Sequence, residues 1–291
     1  MDFGRTGNLQ FNPTLPEIDS RSIQICGGSP ATDFKIYLGG PVWGIPEWKG
    51  NVYPLDVSPK TQMHAYAQQF NTIELNSTFY GAPPEDTVTR WIEHAPATFR
   101  FCPKVPKALS HSTRIQPEAL KAYTNLLSQL KPRLGLPFLQ LSPYRTPADW
   151  NFIQTLCGSL GTLARHALEF RDPAFFQEGQ LKDPFRIFLE QQKLTSVITD
   201  TPGERSVLHA SLTTPFLFVR FLLTLNTEID QERLILWKKW IASAKQLGLR
   251  RVFFFMHAEP EYEIAEPLKF FAEKCATLDP ELKPWIPHSL L

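Results

Sequence analysis

Eight short apolar runs are spread along the chain, and most of them finish on a polar or ionisable residue. In most of these runs the polar side chains occupy alternate positions, which is the period of a β-strand. The runs cover residues 35–40, 71–77, 98–104, 137–142, 166–171, 196–200, 216–221 and 251–257. Stretches of helical length and character separate most of them. The pattern predicts an α/β fold, a single eight-fold β/α (TIM-like) barrel with a site at its mouth.

Seven of the intervening segments carry clear helical signals, and an eighth segment is weaker. Proline near a first helical turn marks two starts, at Pro59 and Pro117, because a first-turn residue needs no amide donor. Gly248 stands where a glycine commonly ends a helix. The predicted helices are residues 59–70, 85–94, 117–130, 147–163, 182–192, 231–247 and 262–276, with the weaker segment near 204–210.

The length of 291 residues suits one domain, since eight-fold barrels typically take about 250 residues. Residues 1–34 lack a sustained period, so we expect an N-terminal extension that either drapes over the barrel or is loosely ordered, with the barrel at 35–291. The net charge of +1 creates no global field that favours nucleic acid or an anionic membrane. Scattered cysteines and the lack of a signal-like or membrane-spanning run favour a cytoplasmic protein. The oligomeric state is left open.

Strand alternation decides which side chains enter the barrel mouth. In the second strand Glu74 and Asn76 face inward, while the apolar residues between them face the helices. Glu169 and Arg171 take the inward positions at the end of the fifth strand. Mutual pairing of the charges is expected, because an isolated buried charge is costly. The same reasoning places the polar side chains at the ends of the other strands in the mouth. They are Lys104, Gln140, Ser142, Asp200, Arg220 and His257.

These charged residues have a structural and a functional interpretation. A structural network of ion pairs could close the top of the barrel. The functional interpretation is favoured because β/α barrels build their sites at the carboxyl ends of the strands. Aromatic residues in the loops after the first two strands would wall a pocket for a planar or sugar-like ligand. They are Trp43, Trp48, Phe79 and Tyr80.

A series of sequence blocks resembles the YecE-like family, domain of unknown function 72 (DUF 72). The blocks are 39–43 (GGPVW), 48–54 (WKGNVYP), 70–80 (FNTIELNSTFY), 87–91 (TVTRW), 99–104 (FRFCPK), 110–111 (SH), 139–143 (LQLSP) and 168–171 (LEFR). The resemblance covers roughly residues 35–275 and implies an eight-fold β/α barrel with a polar cavity, without an established reaction. The chain departs from the family in two places. Arg220 precedes Phe221 and Leu222 instead of a His-Gly pair, and His257 lies where an asparagine region is usual.

Familiar barrel chemistries can be compared with the strand ends. A retaining glycosidase would need carboxyl groups after strands four and seven, where this chain has Gln140 and Arg220. Lys104 beside Glu74 is as consistent with a charged partner as with a Schiff-base nucleophile. No His-Glu-x-x-His, Walker or Gly-x-Gly-x-x-Gly frame is present, so neither a metal nor another cofactor is predicted.

Two classes of function remain. The first is an enzyme that acts on a small anionic or hydroxylated metabolite by metal-independent acid–base chemistry. Its candidate catalytic residues are Lys104, Glu74, His111 and Glu169, and its candidate substrate-binding residues are Trp43, Asn76, Tyr80, Gln140, Arg171, Asp200, Arg220 and His257. The second class is a non-catalytic barrel that binds a ligand or nucleic acid. Analogy with other barrels favours the enzyme, and the charge balance does not favour nucleic acid.

Overall fold

The computed structural model describes residues 13–286. Its main strands are β1 Lys35–Gly39, β2 Thr72–Leu75, β3 Arg100–Pro103, β4 Phe138–Gln140, β5 Ala167–Glu169, β6 Thr195–Asp200, β7 Phe216–Leu222 and β8 Arg251–His257. Its α-helices are α1 Ser20–Cys26, α2 Gln62–Gln69, α3 Glu85–His94, α4 Lys107–Ser110, α5 Pro117–Leu130, α6 Trp150–Gly161, α7 Asp183–Gln191, α8 Thr227–Gln246 and α9 Ala265–Cys275. The predicted succession of strands and helices is confirmed.

Some elements differ from the prediction. Residues 204–210, predicted as a weak helix, contain only a 3₁₀ turn at Arg205–Val207. Helix α8 begins at Thr227, four residues before the predicted start. Its N-cap is Asn226, whose side chain accepts a hydrogen bond of 3.2 Å from the Ile229 amide. Helices α1 and α4 and a short hairpin, Phe176–Gln177 with Gln180–Leu181, were not predicted.

The strands form two parallel sheets rather than one continuous ladder. A six-stranded sheet has the order β1-β8-β7-β6-β5-β4, and a two-stranded sheet pairs β2 with β3. At the β1/β2 seam the Glu74 amide donates to the Gly40 carbonyl at 3.0 Å. At the β3/β4 seam the Val105 amide donates to the Phe138 carbonyl at 2.8 Å. The order of the strands is that of a β/α barrel, but the hydrogen-bond ladders do not establish the predicted closed barrel.

A side chain and a glycine shape the β1/β2 seam. The Tyr66 hydroxyl accepts from the Gly40 amide at 2.8 Å and donates to the Thr72 carbonyl at 3.0 Å. A Cβ atom at Gly39 would lie 2.1 Å from the Thr72 carbonyl oxygen, so the close approach of the two strands requires glycine. The seam therefore depends on a few specific residues instead of a regular ladder.

Apolar side chains fill the space between the strands, below their carboxyl ends. This inner cluster is separate from the larger core between strands and helices, because alternate strand residues point to opposite sides. Its members are Cys102, Leu136, Phe138, Ala167, Val197, Phe218, Phe253 and Phe255. The inner cluster forms the floor of any site at the carboxyl ends.

The described part of the N-terminal segment lies along helices α7 and α8. Asp19 forms an ion pair with Arg186, and Arg21 forms one of 2.5 Å with Glu190. The indole of Trp240 donates to the Pro16 carbonyl at 3.1 Å. The remainder of the predicted extension, residues 1–12, lies outside the described residues, and the division at residue 34 stays a prediction.

Two absences within residues 13–286 bear on function. None of the helices in this part of the chain has the length and apolar character needed to cross a membrane. In the same residues, no three side chains of His, Cys, Asp or Glu converge as a ligand set for a metal ion.

Candidate functional site

The centre of the candidate site is Arg220, which bridges two buried carboxylates. Its Nε donates to Glu74 Oε2 at 2.9 Å, and its Nη2 donates to Glu74 Oε1 at 3.1 Å. Its Nη1 donates to Glu169 Oε2 at 3.0 Å. Glu74 is fully buried and Glu169 is 1% exposed. Strand alternation brings these three side chains together from β2, β5 and β7, as predicted.

Further polar side chains extend this pairing around the strand ends. His257 Nε2 lies 3.2 Å from Glu74 Oε2, and Asn76 Nδ2 donates to Glu74 Oε1 at 3.0 Å. On the other side, Gln140 Nε2 donates to Glu169 Oε2 at 2.9 Å. The predicted placement of these residues at the strand ends is therefore found in the structure.

Lys104 occupies one end of this chain of contacts. Its Nζ donates to Gln140 Oε1 at 2.8 Å and lies 4.6 Å from the centroid of the Phe79 ring. It forms no ion pair with a carboxylate within residues 13–286, so the expected Lys104–Glu74 pair is absent there. The neutral amide of Gln140 stands between the Lys104 amine and the Glu169 carboxylate.

The electrostatic environment lowers the pKa values of both Glu74 and Lys104, with different consequences for their charge at neutral pH. Burial alone would raise the pKa of Glu74, but Arg220 and His257 outweigh it and hold that pKa well below its usual range. Burial lowers the pKa of Lys104, and Arg220 lowers it further, against the opposing influence of the two carboxylates, to about 8. Glu74 therefore stays ionised at neutral pH, whereas the Lys104 amine gains or loses its proton at a pH close to neutral.

His111 and Arg171 lie around Lys104. The His111 ring is 5.1 Å from the Phe79 ring, and its Nδ1 is 2.9 Å from the Ser110 hydroxyl. Burial, followed by the charge of Lys104, lowers the pKa of His111. Burial also lowers the pKa of Arg171, and the Glu169 carboxylate acts on that pKa in the opposite direction. Lys104, Arg171 and Arg220 thus bring three cationic side chains into the field of two carboxylates.

Asp200 does not join this cluster, and the prediction that it faces the barrel mouth is wrong. Its Oδ1 accepts from Arg233 Nη2 at 2.9 Å, and its Oδ2 accepts from the Trp237 indole at 2.7 Å. Both partners belong to α8, on the outer side of the strands, and Arg205 also pairs with Asp200. The inward position at this level of β6 belongs to Thr199.

Sequence reasoning missed Thr199. Val197 belongs to the inner apolar cluster, and Thr199 follows it two residues later on the same side of β6. Thr199 is 4% exposed and is paired in register with Arg220. The available signal was a polar residue one position before the end of the strand. The prediction instead placed the charged residue, Asp200, at the mouth.

The aromatic side chains do not form one continuous wall. Trp48 is 3% exposed, stacks on Tyr66 in the core and donates its indole N–H to the Tyr262 carbonyl at 2.9 Å. Trp43 is half-buried and packs edge-on against Trp91 with ring centroids 5.3 Å apart. Tyr80 is 87% exposed, with its ring 5.4 Å from Phe79. Of the four predicted loop aromatics, Phe79 lies against both Lys104 and His111.

Open grooves are found elsewhere on the surface. One groove of about 720 Å³ lies between the N-terminal parts of α8 and α9. Another, of about 910 Å³, lies beside the hairpin and Arg205. Neither is lined by residues of the polar cluster. The cluster lies nearly buried at the carboxyl ends of the strands, a place called the recess below, where Lys104 is 9% exposed and the side chains of Arg220 and His257 are 12% and 15% exposed.

The fold and this recess define a β/α protein with a buried polar cluster at the carboxyl ends of its strands. The family described as Protein of unknown function DUF72 matches residues 37–288, and the chain belongs to that family. UPF0759 protein YecE from Escherichia coli O157:H7 is 30% identical over 233 residues, which are 70% of this chain and 82% of the relative. UPF0759 protein YunF from Bacillus subtilis (strain 168) is 28% identical over 79 residues, 27% of each protein.

Solved structures share the fold. A DUF72 family protein from Enterococcus faecalis V583 superposes with a TM-score of 0.62 at 18% identity, covering 82% of this chain and 97% of that protein. A DUF72 family protein from Thermotoga maritima MSB8 gives a TM-score of 0.63 at 19% identity, with 81% and 97% covered. The family's description leaves its function unknown, so the chemistry of the site is the basis for a functional hypothesis.

Proposed function

We propose that the protein is an enzyme that binds a small anionic metabolite in this recess and transfers protons through Lys104. The observation that carries the proposal is the environment of the Lys104 amine. Its hydrogen-bond partner is a neutral amide, and its pKa of about 8 allows both protonation states near neutral pH. A group that titrates close to the working pH is an effective general acid or base.

The carboxylates are less suited to that role. Both oxygens of Glu74 accept from Arg220, and His257 and Asn76 contact the same carboxylate. Arg220 and His257 hold the pKa of Glu74 low, so Glu74 is a weak base at neutral pH. We assign Glu74, Glu169 and Arg220 to a scaffold that fixes the recess, with His111 as the second proton-transfer candidate.

Charge supports an anionic substrate. Two carboxylates face three cationic side chains, and Arg220 already directs Nε, Nη1 and Nη2 to the carboxylates. The three positive charges outnumber the two negative ones while Lys104 is protonated. A carboxylate or phosphate group is the complementary ligand.

Thermal-shift measurements test this proposal with sugar phosphates, carboxylates, nucleotides and short single-stranded DNA. Lys104→Met removes the charge and keeps most of the side-chain length, and Lys60→Met at an exposed position is the matched control. A ligand should stabilise the wild type and Lys60→Met but not Lys104→Met. Equal shifts in all three proteins would contradict a role for Lys104.

The pairing of Arg220 with both carboxylates favours a second candidate, a binding protein without turnover, because this network satisfies its charges internally. NMR of each stabilising compound during incubation with the protein separates the two candidates. Conversion of the compound by the wild type but not by Lys104→Met supports the enzyme. A compound that stays unchanged supports the binding protein.

A further inference from the structure

Two buried oxygen atoms near the Glu74–Arg220 pair have no hydrogen-bond partner within residues 13–286. They are Asn76 Oδ1 and Thr199 Oγ1. Asn76 Nδ2 donates to Glu74 Oε1 at 3.0 Å. Since a carboxylate only accepts, the amide nitrogen has to face Glu74 and the amide oxygen has to face away from it. Asn76 Oδ1 is therefore an acceptor that requires a donor from outside the described side chains.

Thr199 presents its hydroxyl on the inward side of β6, beside Arg220. The residue is 4% exposed, and its hydroxyl can rotate to donate or to accept. Buried polar atoms are normally satisfied, because an unpaired one carries a desolvation cost. The two oxygen atoms are therefore free to form hydrogen bonds with a group bound at this level of the recess.

We propose that Asn76 Oδ1 and Thr199 Oγ1 recognise hydroxyl groups of the substrate, which is then an anion that carries at least one hydroxyl. This inference rests on the proposed function, in which Lys104 and Arg171 attract the anionic group. An ammonium group could also donate to Asn76, but the cationic side chains of the recess oppose a further positive charge. Hydroxy acids, sugar acids and sugar phosphates have the required combination.

Matched pairs of anions test the inference by isothermal titration calorimetry. Glycerol 3-phosphate is compared with propyl phosphate, and gluconate is compared with hexanoate. The wild type should bind at least one hydroxylated member about 10-fold or more tightly than its partner, because the plain anion leaves buried oxygens unpaired. Thr199→Val keeps the side-chain shape and should remove most of this preference. Thr199→Ser keeps the hydroxyl and should retain it.

The outcomes distinguish this inference from the proposed function. If the wild type binds both members of each pair equally and Lys104→Met abolishes both, hydroxyl recognition is overturned while the anion site stands. A preference that survives in Thr199→Val also overturns the inference, since it indicates that the hydroxyl group of the ligand does not contact Thr199 Oγ1. Binding of none of the four probes overturns both. Urea denaturation of each variant establishes that it is folded.

Discussion

Replacement of Lys104 by methionine should change the dependence of stability on pH in a specific way. The pKa of the Lys104 amine falls from its ordinary value of 10.5 to about 8 in the folded protein. Between about pH 8 and 10.5 the unfolded chain therefore holds more protons at this residue than the folded chain does. The free energy of unfolding should rise with pH across this window, and below pH 8 the charged amine destabilises the fold.

The magnitude follows from the two pKa values. A difference of about 2.5 corresponds to at most ~3 kcal/mol at pH 7. Lys104→Met removes this cost but leaves Gln140 Oε1 without its donor, which costs about 1 kcal/mol. We expect the variant to be as stable as the wild type at pH 7, or about 1–2 kcal/mol more stable. The advantage should disappear as the pH approaches 10.5.

Urea denaturation of wild type, Lys104→Met and Lys60→Met at pH 7, 8, 9 and 10 measures these free energies. Burial also raises the pKa of Tyr53 and Tyr66, but these residues are common to all three proteins and cancel in the differences. A difference between wild type and Lys104→Met that stays constant over the series would refute the reasoning. So would a loss above about 2 kcal/mol at pH 7, since that is expected of a well-paired structural lysine.

Three further variants test the arrangement of charges. Arg220→Met should lower the free energy of unfolding by about 3–5 kcal/mol at pH 7, because two buried carboxylates lose their cation; urea denaturation giving a loss below 1 kcal/mol would contradict the bridging role. Gln140→Glu brings a carboxylate to the Lys104 amine, although it also faces the Glu169 carboxylate, and should raise the pKa of Lys104, so the rise in stability above pH 8 should become smaller in the same urea series. Asp200→Asn should cost about 2–4 kcal/mol through lost ion pairs with α8, yet leave ligand-induced thermal shifts unchanged; altered ligand binding would place Asp200 in the site after all.

Strand alternation was sufficient to predict most of the cluster, because β2 and the end of β5 have a clear period of two and Arg220 is the one charged residue of the otherwise apolar β7. The inner side of β6 was mispredicted. Its sequence contains adjacent apolar residues, Val197 and Ile198, so hydrophobicity does not fix which alternate set faces inward. A shift of one residue in the assumed alternation moves every side chain to the opposite face. The prediction therefore placed Asp200 on the inner face, where the structure has Thr199.

The partners of the charged groups were harder to predict than their positions. The sequence indicated that Lys104, Gln140 and the carboxylates share one end of the strands. It did not indicate that the Gln140 amide lies between Lys104 and Glu169, because that depends on side-chain reach across the β3/β4 seam. Two partners of Asp200 come from α8, 33 and 37 residues further along the chain, and no local sequence signal points to them.

The two seams between the sheets give the polar cluster a mechanical role. Glu74 lies in β2, Asn76 follows that strand and Lys104 follows β3, whereas Gln140, Glu169, Arg220 and His257 belong to the six-stranded sheet. The Arg220–Glu74 and Lys104–Gln140 bonds therefore tie together sheets that share few ladder hydrogen bonds. A ligand that bridges Lys104 and Thr199 would connect the same two sheets. Its binding should therefore slow hydrogen exchange of the Glu74 and Val105 amides, whose hydrogen bonds cross the seams.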